Sequence, residues 1–155
     1  MHARNAWLKG LSPKENREIP PLRYEFAYQL KKDFPDLVIA VNGGIKTRAE
    51  IDAHLLHVDG VMIGREAYHN PYALTTWEHT PDFAAPSREE VEARMVAYMQ
   101  QQAEKGVNWY SIARHMLGLR HGLPGARKWR QVWSDHRLKE HSPQEVSALA
   151  LGRVA

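Results

Sequence analysis

The chain has 155 residues, a formal net charge of +3 and no cysteine. This length suits one domain or a domain with an appendage, and the absence of cysteine excludes disulfides, thiolate metal sites and cysteine-based catalysis by this chain alone. No apolar run is long enough to span a bilayer and no signal-peptide pattern opens the N-terminus, so a cytoplasmic location is the default expectation.

Residues 1–19 read as a loop rich in Gly, Pro, Asn and charge, although Met1-His2-Ala3 resembles the end of a strand. Pro20-Pro21 precedes a predicted helix from Leu22 to Phe34, with Leu22, Phe26 and Leu30 one turn apart and Pro35 as its stop. Residues 38–41, VIAV, form a β-branched run bounded by Asn42-Gly43-Gly44. Residues 61–63, VMI, form a second run ending at Gly64-Arg65. Thr47 to His57 lies between them as a helix, with Ile51, Leu55 and Leu56 at helical spacing. A crossover of this length implies parallel strands buried on both faces.

Two glycine turns at the same ends of neighbouring parallel strands suit a phosphate group. Glycine lets the backbone approach a ligand and aim its N–H groups at an anion. Arg65 adds a charged fork and Asn42 a hydrogen-bonding side chain. In α/β barrels a recurrent phosphate site follows strands seven and eight. A GxGxxG fingerprint does not occur, which disfavours a dinucleotide Rossmann site.

Glu66 to Glu78 is predicted to hold a short helix interrupted at Asn70-Pro71, followed by a linker over residues 79–86. Ser87-x-x-Glu90 is a capping box opening a helix to about Lys105, with Val91, Met95, Tyr98, Met99 and Gln102 as its inner stripe. Asn108 is expected to cap a second helix carrying Ile112, Met116 and Leu119. Gly122-Leu123-Pro124-Gly125 starts a third, and Ser142-x-x-Glu145 opens a terminal helix. On the third helix, at about 100° per residue, Arg127, Arg130 and Arg137 fall on one side and Trp129, Val132, Trp133 and His136 on the next. This layout packs one face while presenting arginines to phosphates.

Charge divides along the same line. Residues 1–86 carry 10 Lys/Arg against 11 Asp/Glu, whereas residues 87–155 carry 11 against 7. From Lys105 to Lys139 the only acid is Asp135, and Trp109, Tyr110, Trp129 and Trp133 are interleaved with the bases. Such a region suits a polyanion such as RNA, against the alternative of a solvated basic face. The pairs His54/His57, His115/His121 and His136/His141 do not make a convincing ligand set with nearby carboxylates, so no metal site is predicted.

Two or three parallel strands cannot close a barrel or shield both apolar faces. The fold class expected is therefore α/β: the C-terminal part of a TIM barrel over residues 1–80, followed by a small all-α helical bundle over 81–155. A standalone module that completes its sheet by self-association is the alternative.

HARNAWLKGLSPKENREIPPL, VNGGI, DGVMIGREAYHNPY and LPGARKWR together resemble the tRNA-dihydrouridine synthases of the A subfamily over nearly the whole chain. The resemblance implies an FMN-bearing barrel followed by a helical tRNA-binding domain. It implies reduction of the C5=C6 bond of a tRNA uridine, with NADPH as reductant and a cysteine protonating C5. By position it implies FMN contacts from His2, Asn42, Gly43, Gly44, Gly64 and Arg65, and tRNA contacts from Lys14, Arg17, Arg127 and Arg130. The family's early strands and its catalytic cysteine have no counterpart here, so the chain alone is expected to be inactive, with an N-terminal barrel half missing. A non-catalytic RNA-binding module is the alternative function, and a phosphate-binding barrel enzyme unrelated to RNA is a third.

Overall fold

The computed structural model describes residues 1–7, 9–78 and 80–153. The chain folds as two units, Met1–Glu66 and Ala67–Ala155. The expected boundary at 80/81 comes later than this division. Residues 67–78 pack within the second unit, where Tyr72 Oη donates to Pro86 O at 2.9 Å and Tyr68 Oη lies 3.1 Å from His115 Nδ1.

The first unit is a mixed α/β layer. Strands β1 (Ala40–Asn42) and β2 (Gly60–Met62) are parallel, pairing Ala40 with Gly60, Val41 with Val61 and Asn42 with Met62. On the other side of β1, Asn42 N donates to Met1 O at 2.8 Å and Ala3 N to Asn42 O at 2.7 Å, so the segment read as a strand end does pair, also in parallel. The strands begin and end within two residues of their predicted places, but Val38, expected in β1, is 89% exposed. Helix α1 spans Tyr24–Asp33 rather than 22–34, because Leu22 is held extended in an antiparallel bridge with Arg4. Its packed residue is Ala27, not Phe26, which is half exposed under the Arg23 guanidinium. Helix α2 (Arg48–Leu55) starts at a reciprocal Thr47–Glu50 capping box. It buries Ile51 and His54, while Leu55 and Leu56 face outward, against expectation. His54 is held by Tyr28, with 2.6 Å between Nδ1 and the phenol oxygen, and by the ring of Tyr24.

The second unit is helical. Helix α3 (Arg65–His69) crosses the division, and a 3₁₀ turn (Pro71–Ala73) separates it from α4 (Leu74–Trp77), matching the predicted interruption. Of the expected linker over 79–86, residue 79 lies outside the described residues. The Ser87 and Ser142 capping boxes are both formed, and open α5 (Arg88–Ala103) and α8 (Pro143–Ala150). The inner face of α5 is Glu92, Val96 and Met99; Tyr98, expected inside, is half exposed. The second predicted helix is shorter than expected. Only α6 (Tyr110–Ala113) is regular, and Met116 and Leu119 reach the core from the turns that follow. Close packing there leaves no room at Gly118, where a Cβ would stand 2.2 Å from the His69 carbonyl oxygen.

Helix α7 (Ala126–Trp133) drives Trp129 and Trp133 into a core shared with Met99, Trp109, Met116, Leu119 and Val146. It ends at Trp133, so Arg137 does not share a helix face with Arg127 and Arg130. Arg137 sits in a separate 3₁₀ turn, its Nη2 2.7 Å from the Asp135 carboxylate. At the centre of this core lies Glu92, 1% exposed. Its Oε1 accepts from Trp129 Nε1 at 3.0 Å, Trp133 Nε1 at 3.3 Å and Ser147 Oγ at 3.2 Å, and its Oε2 accepts from Arg120 Nη2 at 3.2 Å. Buried charge of this kind is tolerated only where paired and hydrogen-bonded, as here.

Candidate anion site at the strand ends

β1 ends at Asn42, and the chain turns through two glycines that require left-handed backbone: φ is +134° at Gly43 and +73° at Gly44. Space is tight there as well, and a side chain would have to push Leu22 aside. A Cβ at Gly43 or Gly44 would meet the methyl groups of Leu22 at 2.9 or 2.8 Å. The Tyr24 hydroxyl donates to Gly43 O, tying the turn to α1. Desolvation is the main cause that raises the Tyr24 pKa, so this donor stays protonated. β2 ends two residues before Gly64, and Arg65 opens α3.

These turns border one open cavity of about 620 Å³ in the first unit. His2, Asn42, Gly43, Gly44, Gly64 and Arg65, the six residues singled out from sequence, all line it. His2 is placed by its bridge to Asn42, and its Nδ1 accepts from Arg4 N at 3.1 Å. Arg17 also lines the cavity; Lys14, just ahead of the 3₁₀ turn Glu15–Arg17, does not. Arg127 and Arg130 belong to the second unit and are exposed on α7.

Sequence reasoning missed Arg4 and Lys46, two further cations on the cavity wall, and the acids Glu18 and Glu66 beside them. Arg65 already has partners: its Nη2 donates to Arg17 O at 3.2 Å and its Nη1 stands 3.7 Å from the Glu18 carboxylate. The buried Nε of Arg4 has no hydrogen-bond partner among the described residues. One constrained double-glycine turn, several cations and an unused guanidinium donor make an arrangement that suits a phosphate-bearing ligand. No spacing rule could have marked Arg4, because its place depends on the pairing of Met1–Ala3 with β1 and on the bridge to Leu22.

An α/β unit with a cavity lined by cations and a glycine turn at its strand ends defines a broad class. The comparison with known families narrows it. The sequence profile described as Dihydrouridine synthase (Dus) matches residues 1–153, and the chain belongs to that family. It is 50% identical over 157 residues to the tRNA-dihydrouridine(20/20a) synthase of Vibrio parahaemolyticus, covering 99% of this chain and 48% of that protein. Proteins of the same name from Synechocystis and Escherichia coli O6:H1 are each 49% identical, covering 97% and 100% of this chain and 46% and 48% of theirs. The chain thus spans about half the length of the curated relatives it matches.

Proposed function

We propose that this chain is the C-terminal part of a flavin-dependent tRNA-dihydrouridine synthase: residues 1–80 complete an FMN-binding TIM barrel and residues 81–155 form a helical tRNA-binding domain. The observation that carries this reading is the convergence of His2, Asn42, Gly43, Gly44, Gly64 and Arg65 on one cavity in a chain of this family. The residues fit FMN. The Gly43–Gly44 backbone and the Arg65 guanidinium would hold its phosphate, with Asn42 and His2 toward its polar parts. Bound and reduced with NADPH, FMN supplies the hydride for the uracil ring. This chain's own part is to bind and orient, through Lys14, Arg17, Arg127 and Arg130 on tRNA. It has no cysteine to protonate C5, so it is inactive unless another segment supplies that acid.

Titration of the chain with FMN tests the site. Flavin fluorescence is expected to be quenched, with Gly44→Ala weakening binding about tenfold or more, because the new Cβ meets Leu22 and the φ is left-handed. Absence of quenching at millimolar FMN would sink the flavin assignment for the isolated chain. A single-turnover assay is expected to give no dihydrouridine, and product from this polypeptide would overturn its inactivity.

The lack of cysteine favours a second reading, a tRNA-binding module without catalysis. Both readings predict a tRNA affinity that falls steeply with salt and weakens in the Arg127→Ala/Arg130→Ala double variant. Flavin binding separates them.

A further inference from the structure

Arg4 touches neither of the two cations given to tRNA in the loop after His2, yet it fastens the segment that follows them. Its Nη1 donates to Glu18 O at 2.8 Å and also to Pro20 O. Arg65 reaches the same stretch through Arg17 O and the Glu18 carboxylate. The carbonyls of Arg17, Glu18 and Pro20 are thus all held by guanidinium groups rooted at strand ends. Charge-assisted bonds of this kind are stronger than neutral ones.

The turn needs such ties. Glu15–Arg17 buries none of its residues, so packing does not fix it. Its other anchors lie at or before its middle: Ser12 with Glu15, and Asn16, which exchanges bonds with Trp7 at 2.8 and 3.0 Å. Beyond Asn16 only the two arginines secure the chain through side-chain bonds among the described residues. Arg65 is also assigned to a phosphate, which competes with Glu18 for its fork. Arg4 also lines the cavity, but it offers a ligand its unpartnered Nε while Nη1 keeps Glu18 O and Pro20 O, so beside the buried Pro20 it is the side-chain tie that persists.

We propose that Arg4 is a positioning residue for tRNA: by holding Glu18 and Pro20 it keeps Lys14 and Arg17 in place before the polyanion arrives, so that less ordering is lost on binding. This rests on the reading that Lys14 and Arg17 face tRNA.

The test uses the whole chain with Arg4→Gln and Arg4→Lys. Without any ligand, Arg4→Gln is expected to speed amide exchange at residues 15–19 about tenfold, while Arg4→Lys, whose ammonium donates to both carbonyls, restores most of the protection. In a double-mutant cycle, Arg4→Gln is expected to weaken tRNA binding about fivefold, and to have no further effect once Lys14 and Arg17 are both alanine. A residue with a merely structural role would weaken binding in both backgrounds. Equal losses in the two backgrounds, or unchanged exchange at 15–19 in Arg4→Gln, overturn the proposal. If Lys14→Ala/Arg17→Ala leaves tRNA affinity intact, the underlying reading falls and the proposal with it, a result distinct from a change confined to Arg4.

Discussion

The unit Met1–Glu66 keeps small side chains inside, among them Ala3, Ala27 and Val41, and leaves Phe26, Phe34, Leu37, Val38, Leu56 and Met62 exposed. The unit Ala67–Ala155 buries larger ones, although Tyr68, Leu74, Phe83 and Tyr98 are exposed there too. It buries Trp109, Trp129, Trp133, Met99 and Met116 around the Glu92 carboxylate. The difference teaches where each unit gets its order. The helical unit closes its own core and spends its polar bonds inside it. The α/β unit ties turns and strand ends with them and, among the described residues, leaves ten large apolar side chains exposed against six in the helical unit. On the proposed reading, that surface is where the remaining barrel strands and helices pack.

The sharpest way to break this contrast is at Glu92. Glu92→Ala leaves the indole N–H groups of Trp129 and Trp133 without their acceptor and the half-buried Arg120 with only Glu89. The expected cost is about 3–5 kcal/mol, measured by urea unfolding followed by tryptophan fluorescence. A loss below about 1 kcal/mol would mean that the carboxylate is not what organises this core.

A matched pair of leucines gives a smaller effect. Leu119→Ala, in the helical core, is expected to cost about 2–5 kcal/mol, whereas Leu56→Ala, 82% exposed on the α/β unit, should stay within about 0.5 kcal/mol. Comparable losses at the two positions would show that the outer face of α2 is covered in the isolated chain.

The gentlest probe is pH. Burial, the largest cause, lowers the His54 pKa below its ordinary value, with His57 adding to the effect and Glu50 opposing it. The unfolded chain therefore takes the proton more readily, and this part of the α/β unit's stability fades as pH falls below about 6.5. The pKa values of the helical unit's capping glutamates, Glu90 and Glu145, are lowered too, but from the carboxylate range, so their loss comes at lower pH. Backbone N–H groups of Ser87 and Ser142 hold their pKa values down, so their contribution persists above the ordinary carboxylate value and is lost only as pH falls through the lowered one. Amide spectra followed from about pH 7 to pH 5 should show the first unit loosening while the second is unchanged. Simultaneous loss would remove His54 as the cause.

Much of this was legible locally. The Ser87 and Ser142 capping boxes, the strand–helix–strand crossover and both glycine turns follow from short patterns that govern their own backbone. Five of the six cavity residues follow from the two strand-end turns, of which glycine dictates the one at Gly43–Gly44, whereas His2 came from the family resemblance. What was hidden depends on distant partners. No local pattern marks Glu92, whose burial depends on Trp129, Trp133 and Ser147 converging on it. Phe26 and Leu56 look like core residues until the small Ala27 and the hydrogen-bonded His54 take the packed faces. Arg137 shared a helix face with Arg127 only on the assumption that α7 continued past Trp133.

Leu22 lies beneath the double turn, and its two methyl groups fill the space that side chains at 43 and 44 would need. The constraint on those positions is therefore double, one part steric and one conformational, and the two parts can drift independently over evolution. A smaller residue at position 22 would open the space but leave the φ values of Gly43 and Gly44 unchanged. Among descendants of this sequence, position 22 can lose volume without releasing the glycines, whereas a side chain at 44 would need Leu22 to move aside and a new path for the backbone.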